Sequence, residues 1–155
     1  MKTNRSSAYL NLSPRAVQRL FQLALTGLWS WFALKFFLTE GKPAALVASA
    51  LCLLTGVVAA IVVFLSDLSF IAHAPEQDID EYQLKQRNRA YLATLRYGCG
   101  ALALAWIARA VGGPRAVVSV NVLDNFILVL FLTLLIAPAG FLAQRLLADE
   151  EAPAR

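Results

Sequence analysis

Histidine, methionine and cysteine are almost missing from this chain of 155 residues, which holds one His, one Met and two Cys. Each scarcity excludes a chemistry. With His73 alone and no methionine beyond Met1, the chain offers no pair of axial side-chain ligands for a haem. Cys52 and Cys99 both fall inside apolar runs and form no CxxC pair, which argues against a disulfide scaffold and a thiol oxidase and leaves them as small core residues. Charge is sparse at 15% of residues, and the net +4 is not gathered on one soluble face. The basic residues flank apolar runs instead, where they attract anionic lipid and fix orientation, so nucleic acid is not an expected partner. No cofactor is expected, and no catalytic or metal-ligating set can be assigned.

What the chain has in abundance is apolar side chains. They make up 59% of it, against roughly 45–50% in an ordinary soluble domain. The expected fold class is therefore all-α: a polytopic integral membrane protein with four transmembrane helices arranged as two antiparallel hairpins in one domain, 1–155.

Four spans are expected, at about 14–38, 44–70, 91–111 and 123–147. Ser13-Pro14 opens the first, with serine as N-cap and proline at the first helical position, where its missing N–H costs nothing. Arg19 and Lys35 shorten its uncharged core to Leu20–Leu34, so both must snorkel. Trp29 and Trp31 fall near its middle, away from the interface where tryptophans gather, and are read as bundle packing. The turn TEGKP leads into the second span, whose 23 uncharged residues run from Ala44 to Ser66. Along it Ala44, Ala48, Cys52, Gly56 and Ala60 recur every fourth residue. Small residues at that interval form a ridge on which another helix can approach closely, and the third span, rich in glycine and alanine, is its expected partner. The third span holds twelve uncharged residues between Arg96 and Arg109. Pro138 interrupts the last span and predicts a kink, read as packing instead of a transporter-like broken helix. The first twelve residues are expected to be a disordered or surface-lying cytoplasmic tail, the closing ADEEAPAR a short solvated tail, and 111–121 an ordered outside loop.

Between the halves lies a polar segment, 72–90. Pro75 stops the preceding helix, Asp78 and Glu81 form a capping-box-like pair that predicts a helix start near Asp78, and Glu81 and Lys85 are spaced for a surface ion pair. Glu76, Asp78, Asp80 and Glu81 with His73 could be offered as a divalent-metal site; a cap beside a solvated acidic face is the preferred reading. From Asp80 to Tyr91 the chain reads DExxxxxRxxAY, carried by Asp80, Glu81, Arg87, Ala90 and Tyr91. This resembles a segment of small, uncharacterised bacterial membrane proteins with four spans. The resemblance implies an inner-membrane location and carries no catalytic residue with it.

Ten basic residues lie inside and four (Lys35, Lys42, Arg109, Arg115) outside if the N-terminus is cytoplasmic, which favours both termini in the cytoplasm of a cell inner membrane. Apart from Asp124 at the very start of the last, Asp67 is the only acid inside an expected span. A hairpin turning near Glu81 brings it level with Arg96, so an intramembrane Asp67–Arg96 ion pair is expected as a candidate site. Three functions remain open. The first is a non-enzymatic accessory, assembly or immunity-type factor working through helix contacts with another membrane protein or with itself. The second is a small transporter or channel component with Asp67 and Arg96 near its pathway, and the third a membrane enzyme using the acidic segment 76–81.

Overall fold

In a computed structural model of the chain, which describes residues 9–37, 43–111 and 120–151, every element is helical. Helix α1 is Pro14–Phe37, α2 Pro43–Phe64, α3 Asp67–His73, α4 Glu81–Val111 and α5 Val120–Glu151, with a 3-10 turn at Glu76–Asp78 between α3 and α4. The all-α expectation therefore holds for the described residues. The expected number of spans does not: three helices, α2, α4 and α5, are long and apolar enough to cross a membrane, not four. Helix α1, which carries Arg15, Gln18, Arg19, Gln22 and Lys35, is not among the three over the residues described.

Helix α5 packs on each of the other four α-helices, and beside it runs α1. Its stripe Val17, Phe21, Ala24, Leu28 and Trp31, spaced by three and four residues, is buried against α2 on one side and α5 on the other. Helix α4 packs mainly on α5. Two glycines set the α1–α2 distance. A Cβ on Gly27 would stand 2.8 Å from the backbone of Gly56, and one on Gly56 would stand 2.8 Å from the backbone nitrogen of Leu28. Backbone meets backbone there, so only glycine fits on either side.

The small-residue ridge of α2 is thus used, but against α1 and not against the third span. Gly56 and Ala60 are buried and Cys52 half-buried, while Ala44 and Ala48 are exposed. Gly27 decides the partner, because it lowers the surface of α1 to match. On α4, Gly98 faces the side chain of Leu134 in α5 and Gly100 has nothing within 4 Å.

The second apolar run ends earlier than the expected 44–70. Helix α2 stops at Phe64, and Ser66, fully buried in extended conformation, serves both neighbours. Its hydroxyl donates to the Val63 carbonyl at 2.6 Å and accepts the Ser69 N–H at 3.3 Å, closing one helix and capping the next. The break is then sealed from outside by residues of the expected disordered or surface-lying tail, which here lie on the bundle surface. Leu10 N–H donates to the Leu65 carbonyl at 2.8 Å, and the Leu10 carbonyl accepts from Asp67 N–H at 3.1 Å. Tyr9 packs on Phe70 with ring centroids 5.1 Å apart.

Helix α4 starts at Glu81, three residues later than the expected start near Asp78. Asp80 is its cap: Asp80 Oδ1 accepts from Glu81 N–H at 2.8 Å, and Gln83 Oε1 accepts from Asp80 N–H at 3.4 Å. The cap is therefore Asp80, with Gln83 reaching back to it; the side chain of Asp78, expected to cap, lies outside the described residues. From there one helix runs unbroken out of the polar segment and through the apolar one. Likewise α5 is longer than the expected 123–147 and takes in Ala148–Glu151 of the presumed tail. The TEGKP turn before Pro43, the loop at 112–119 and both chain ends lie outside the described residues.

Candidate functional site

The polar groups of the bundle gather at two levels. At one end, Leu10, Ser66, the start of α4 and the end of α5 come together. Arg87 is 8% exposed and reaches across α4 to the segment after α3, where its Nη1 donates to the Ala74 carbonyl at 2.6 Å and its Nη2 meets Glu76 Oε1 at 3.3 Å. The carbonyl bond is the stronger anchor, since Glu76 is largely exposed and a surface pair contributes little. One turn on, Tyr91 Oη donates to the Ala72 carbonyl at 3.0 Å. Beside them Tyr82 Oη and Gln86 Nε2 both donate to Asp149 Oδ2, tying α4 to the end of α5. Gln86 Oε1 and Arg87 Nε are buried without a hydrogen-bond partner.

The residues of the DExxxxxRxxAY segment are therefore structural clamps in this chain. Asp80 caps α4, Arg87 and Tyr91 hold the α3 exit against it, and Ala90 is buried between them. Glu81 and Lys85 are exposed and make no ion pair with one another. His73 bonds back to the Ser69 carbonyl of its own helix at 2.8 Å. Among the described residues, no three His, Cys, Asp or Glu side chains converge as metal ligands.

The second level lies within the bundle. Trp29 Nε1 donates to Tyr97 Oη at 2.7 Å, Tyr97 Oη contacts Thr133 Oγ1 at 3.3 Å, and Thr133 Oγ1 donates to the Leu130 carbonyl at 3.0 Å. This relay links α1, α4 and α5 and leaves each donor used. Around it Trp29 sits edge-on to Phe32 and Phe126, both with centroids 5.9 Å away, and Trp31 is buried. Trp29 is thus a packing residue with its one polar atom satisfied. Gln86, Tyr97, Thr133 and Gly27 were not singled out from the sequence. Tyr97 and Thr133 carry a legible signal, hydroxyls inside otherwise apolar runs.

Asp67 and Arg96 do not meet. Asp67 is the first residue of α3, partly buried, and Arg96 is exposed on α4; no ion pair joins them. The buried face of α4 carries Ala90, Thr94 and Gly98, and Arg96, two residues past Thr94, points roughly 200° away from it at about 100° per residue. The break at Ser66 further takes Asp67 off the axis of α2. Pro138 lies inside an uninterrupted α5, with residues 136–140 all buried. Gly140 just beyond it admits Phe21, since a Cβ there would fall 2.2 Å from the Phe21 ring.

Neither a protein-family model nor a curated protein nor a solved structure matches the chain.

Proposed function

We propose that the chain is a small integral protein of a bacterial inner membrane, and that it acts without catalysis, as an accessory, assembly or immunity-type factor, through helix contacts with a larger membrane partner. One observation carries the membrane part. Helix α2 buries its small residues Ser49, Gly56, Ala59 and Ala60 and exposes Leu46, Val47, Leu51, Leu54, Val58 and Ile61. That is the reverse of a water-soluble helix and the pattern of one solvated by lipid. Helices α4 and α5 agree, with Leu104 69% and Trp106 72% exposed on α4 and Phe131 outward on α5.

In this reading α1 is the fourth crossing segment. Its 24 residues extend about 36 Å at ~1.5 Å per residue, enough for a hydrocarbon core of about 30 Å. Four crossings leave both termini on the side of the middle segment. In support, Leu10, the α3–α4 connection and Asp149 already share one end of the bundle. The excess of Lys and Arg at that end favours the cytoplasm.

The contact function is supported by the use made of the polar groups. Arg87, Tyr91, Tyr82, Gln86, Trp29 and Tyr97 all serve to join one helix to another, while the proposed Asp67–Arg96 pathway pair is apart. Purification in mild detergent with native mass measurement tests it. A stoichiometric larger membrane protein is expected; a solitary chain or a closed homo-oligomer with solute flux in proteoliposomes would favour a transporter instead.

A further inference from the structure

Helix α1 is amphipathic in an unusual sense for a bundle of this composition. Its inward stripe is apolar, and its outward stripe is Arg15, Arg19, Gln22, Thr26 and Ser30, spaced by four, three, four and four residues and exposed at every position. The burial of Val17, Phe21, Ala24, Leu28 and Trp31 fixes the rotation, so this stripe cannot turn inward. The outward faces of α2 and α5 are dominated by Leu, Val, Ile and Phe.

The stripe is also chemically unfinished. Thr26 Oγ1 is satisfied by the Gln22 and Leu23 carbonyls at 2.9 and 3.1 Å. Among the described residues, by contrast, the Gln22 amide and the Ser30 hydroxyl make no hydrogen bond, and neither Arg15 nor Arg19 has an ion-pair partner. Lipid phosphate can meet the two arginines, whose long stems snorkel. It cannot meet Gln22, which is shorter and lies three residues, about 4.5 Å, deeper. An amide with two donors and an acceptor facing acyl chains is strongly unfavourable, because nothing there can take up its hydrogen bonds.

We propose that this stripe docks one transmembrane helix of a partner protein, and that the partner helix carries a carboxylate level with Arg19 and a hydrogen-bonding side chain opposite Gln22. The proposal rests on the membrane reading above and names what the contact recognises. Gln22, out of reach of a headgroup, calls for a protein partner, and a carboxylate on that partner can take the place of the lipid phosphate at Arg19. Thr26 and Ser30, small and four residues apart, let the partner backbone come close one and two turns further in. A second copy of this chain is the wrong occupant, because two copies inserted with the same topology run their α1 helices parallel and set Arg15 and Arg19 against their own counterparts.

The test uses the full chain in phosphatidylcholine vesicles with a labelled synthetic leucine–alanine transmembrane peptide, read by resonance energy transfer. One peptide carries Glu at the depth of Arg19 and Asn at that of Gln22; the other carries Gln and Leu there. The Glu/Asn peptide is expected to associate at least tenfold more tightly, and the difference is expected to vanish in the Arg19→Gln, Gln22→Leu double variant, whose changes lie on an exposed face and leave thermal unfolding in detergent unmoved. Equal association of the two peptides overturns the proposal. So does, in a parallel series of vesicles containing phosphatidylglycerol, an effect of Arg19 that depends on the anionic lipid and not on the peptide, since the stripe is then a headgroup anchor. In a cysteine-free background, efficient Thr26→Cys or Ser30→Cys homodimers overturn it in favour of a second copy. Flotation of the chain with vesicles after alkaline carbonate is measured alongside: its loss removes the membrane reading itself, whereas flotation with a flat peptide response removes only the docking.

Discussion

Four glycines divide sharply by what surrounds them. Gly56 and Gly27 touch each other's backbones, Gly140 receives the ring of Phe21, and Gly100 meets nothing. An added methyl at Gly56 meets the backbone of Gly27 and Leu28 as well as the Leu28 side chain, so Gly56→Ala is expected to cost about 1–3 kcal/mol through forced separation of α1 and α2. Gly100→Ala is expected to stabilise by about 0.5–1 kcal/mol, the ordinary helix-propensity gain at an open position. Reversible unfolding in mild detergent checks both, and equal shifts for the two variants would refute the backbone contact. The recurrence of Gly56 within a four-residue series was visible in the sequence. Its partner was not, because Gly27 stands alone among large residues and becomes meaningful only beside Gly56.

At the scale of elements, the break between α2 and α3 is the feature least legible beforehand. The run VVFLSDLSF reads as one continuing span, since Ser66 and Asp67 are tolerable near a helix end. What stops the helix is a contact from far away in sequence. The backbone of Leu10 takes up the Leu65 carbonyl and the Asp67 N–H that the break sets free. Leu10→Pro keeps an apolar residue but removes the donor to Leu65, at an expected local cost of about 1–3 kcal/mol. Hydrogen exchange at Asp67–Phe70 should then quicken by one to two orders of magnitude while exchange along α5 is unchanged. Uniform quickening everywhere would mean that Leu10 supports the whole bundle and not this joint. The start of α4 teaches the same lesson on a smaller scale. Asp78-x-x-Glu81 and Asp80-x-x-Gln83 are both acceptable boxes, and Arg87 and Tyr91 pin the chain before Asp80 so that the second is used.

For the whole molecule, the arrangement places the segment before α1, the α3–α4 connection and the end of α5 at one end of the bundle. With α1 as a crossing segment, reporters placed at Gln77 and after Arg155 should be cytoplasmic and one at Gly113 external. If α1 instead lies along the surface, the reporter fused ahead of Pro14 and the one at Gln77 will disagree. The charge bias toward the Gln77 side supports the first outcome.

The sequence by itself determined an all-helical chain, the approximate extent of its apolar runs and the end where its positive charge collects, because composition and residue spacing are local properties and survive in any arrangement of the helices. Only the tertiary structure decided which helix meets the ridge of α2, why Asp67 and Arg96 stand apart, and that α1 turns its polar stripe outward. Those depend on the rotation of each helix about its own axis. Rotation is fixed by contacts such as Gly27 with Gly56 and Phe21 with Gly140, which join residues that no spacing along one helix brings together.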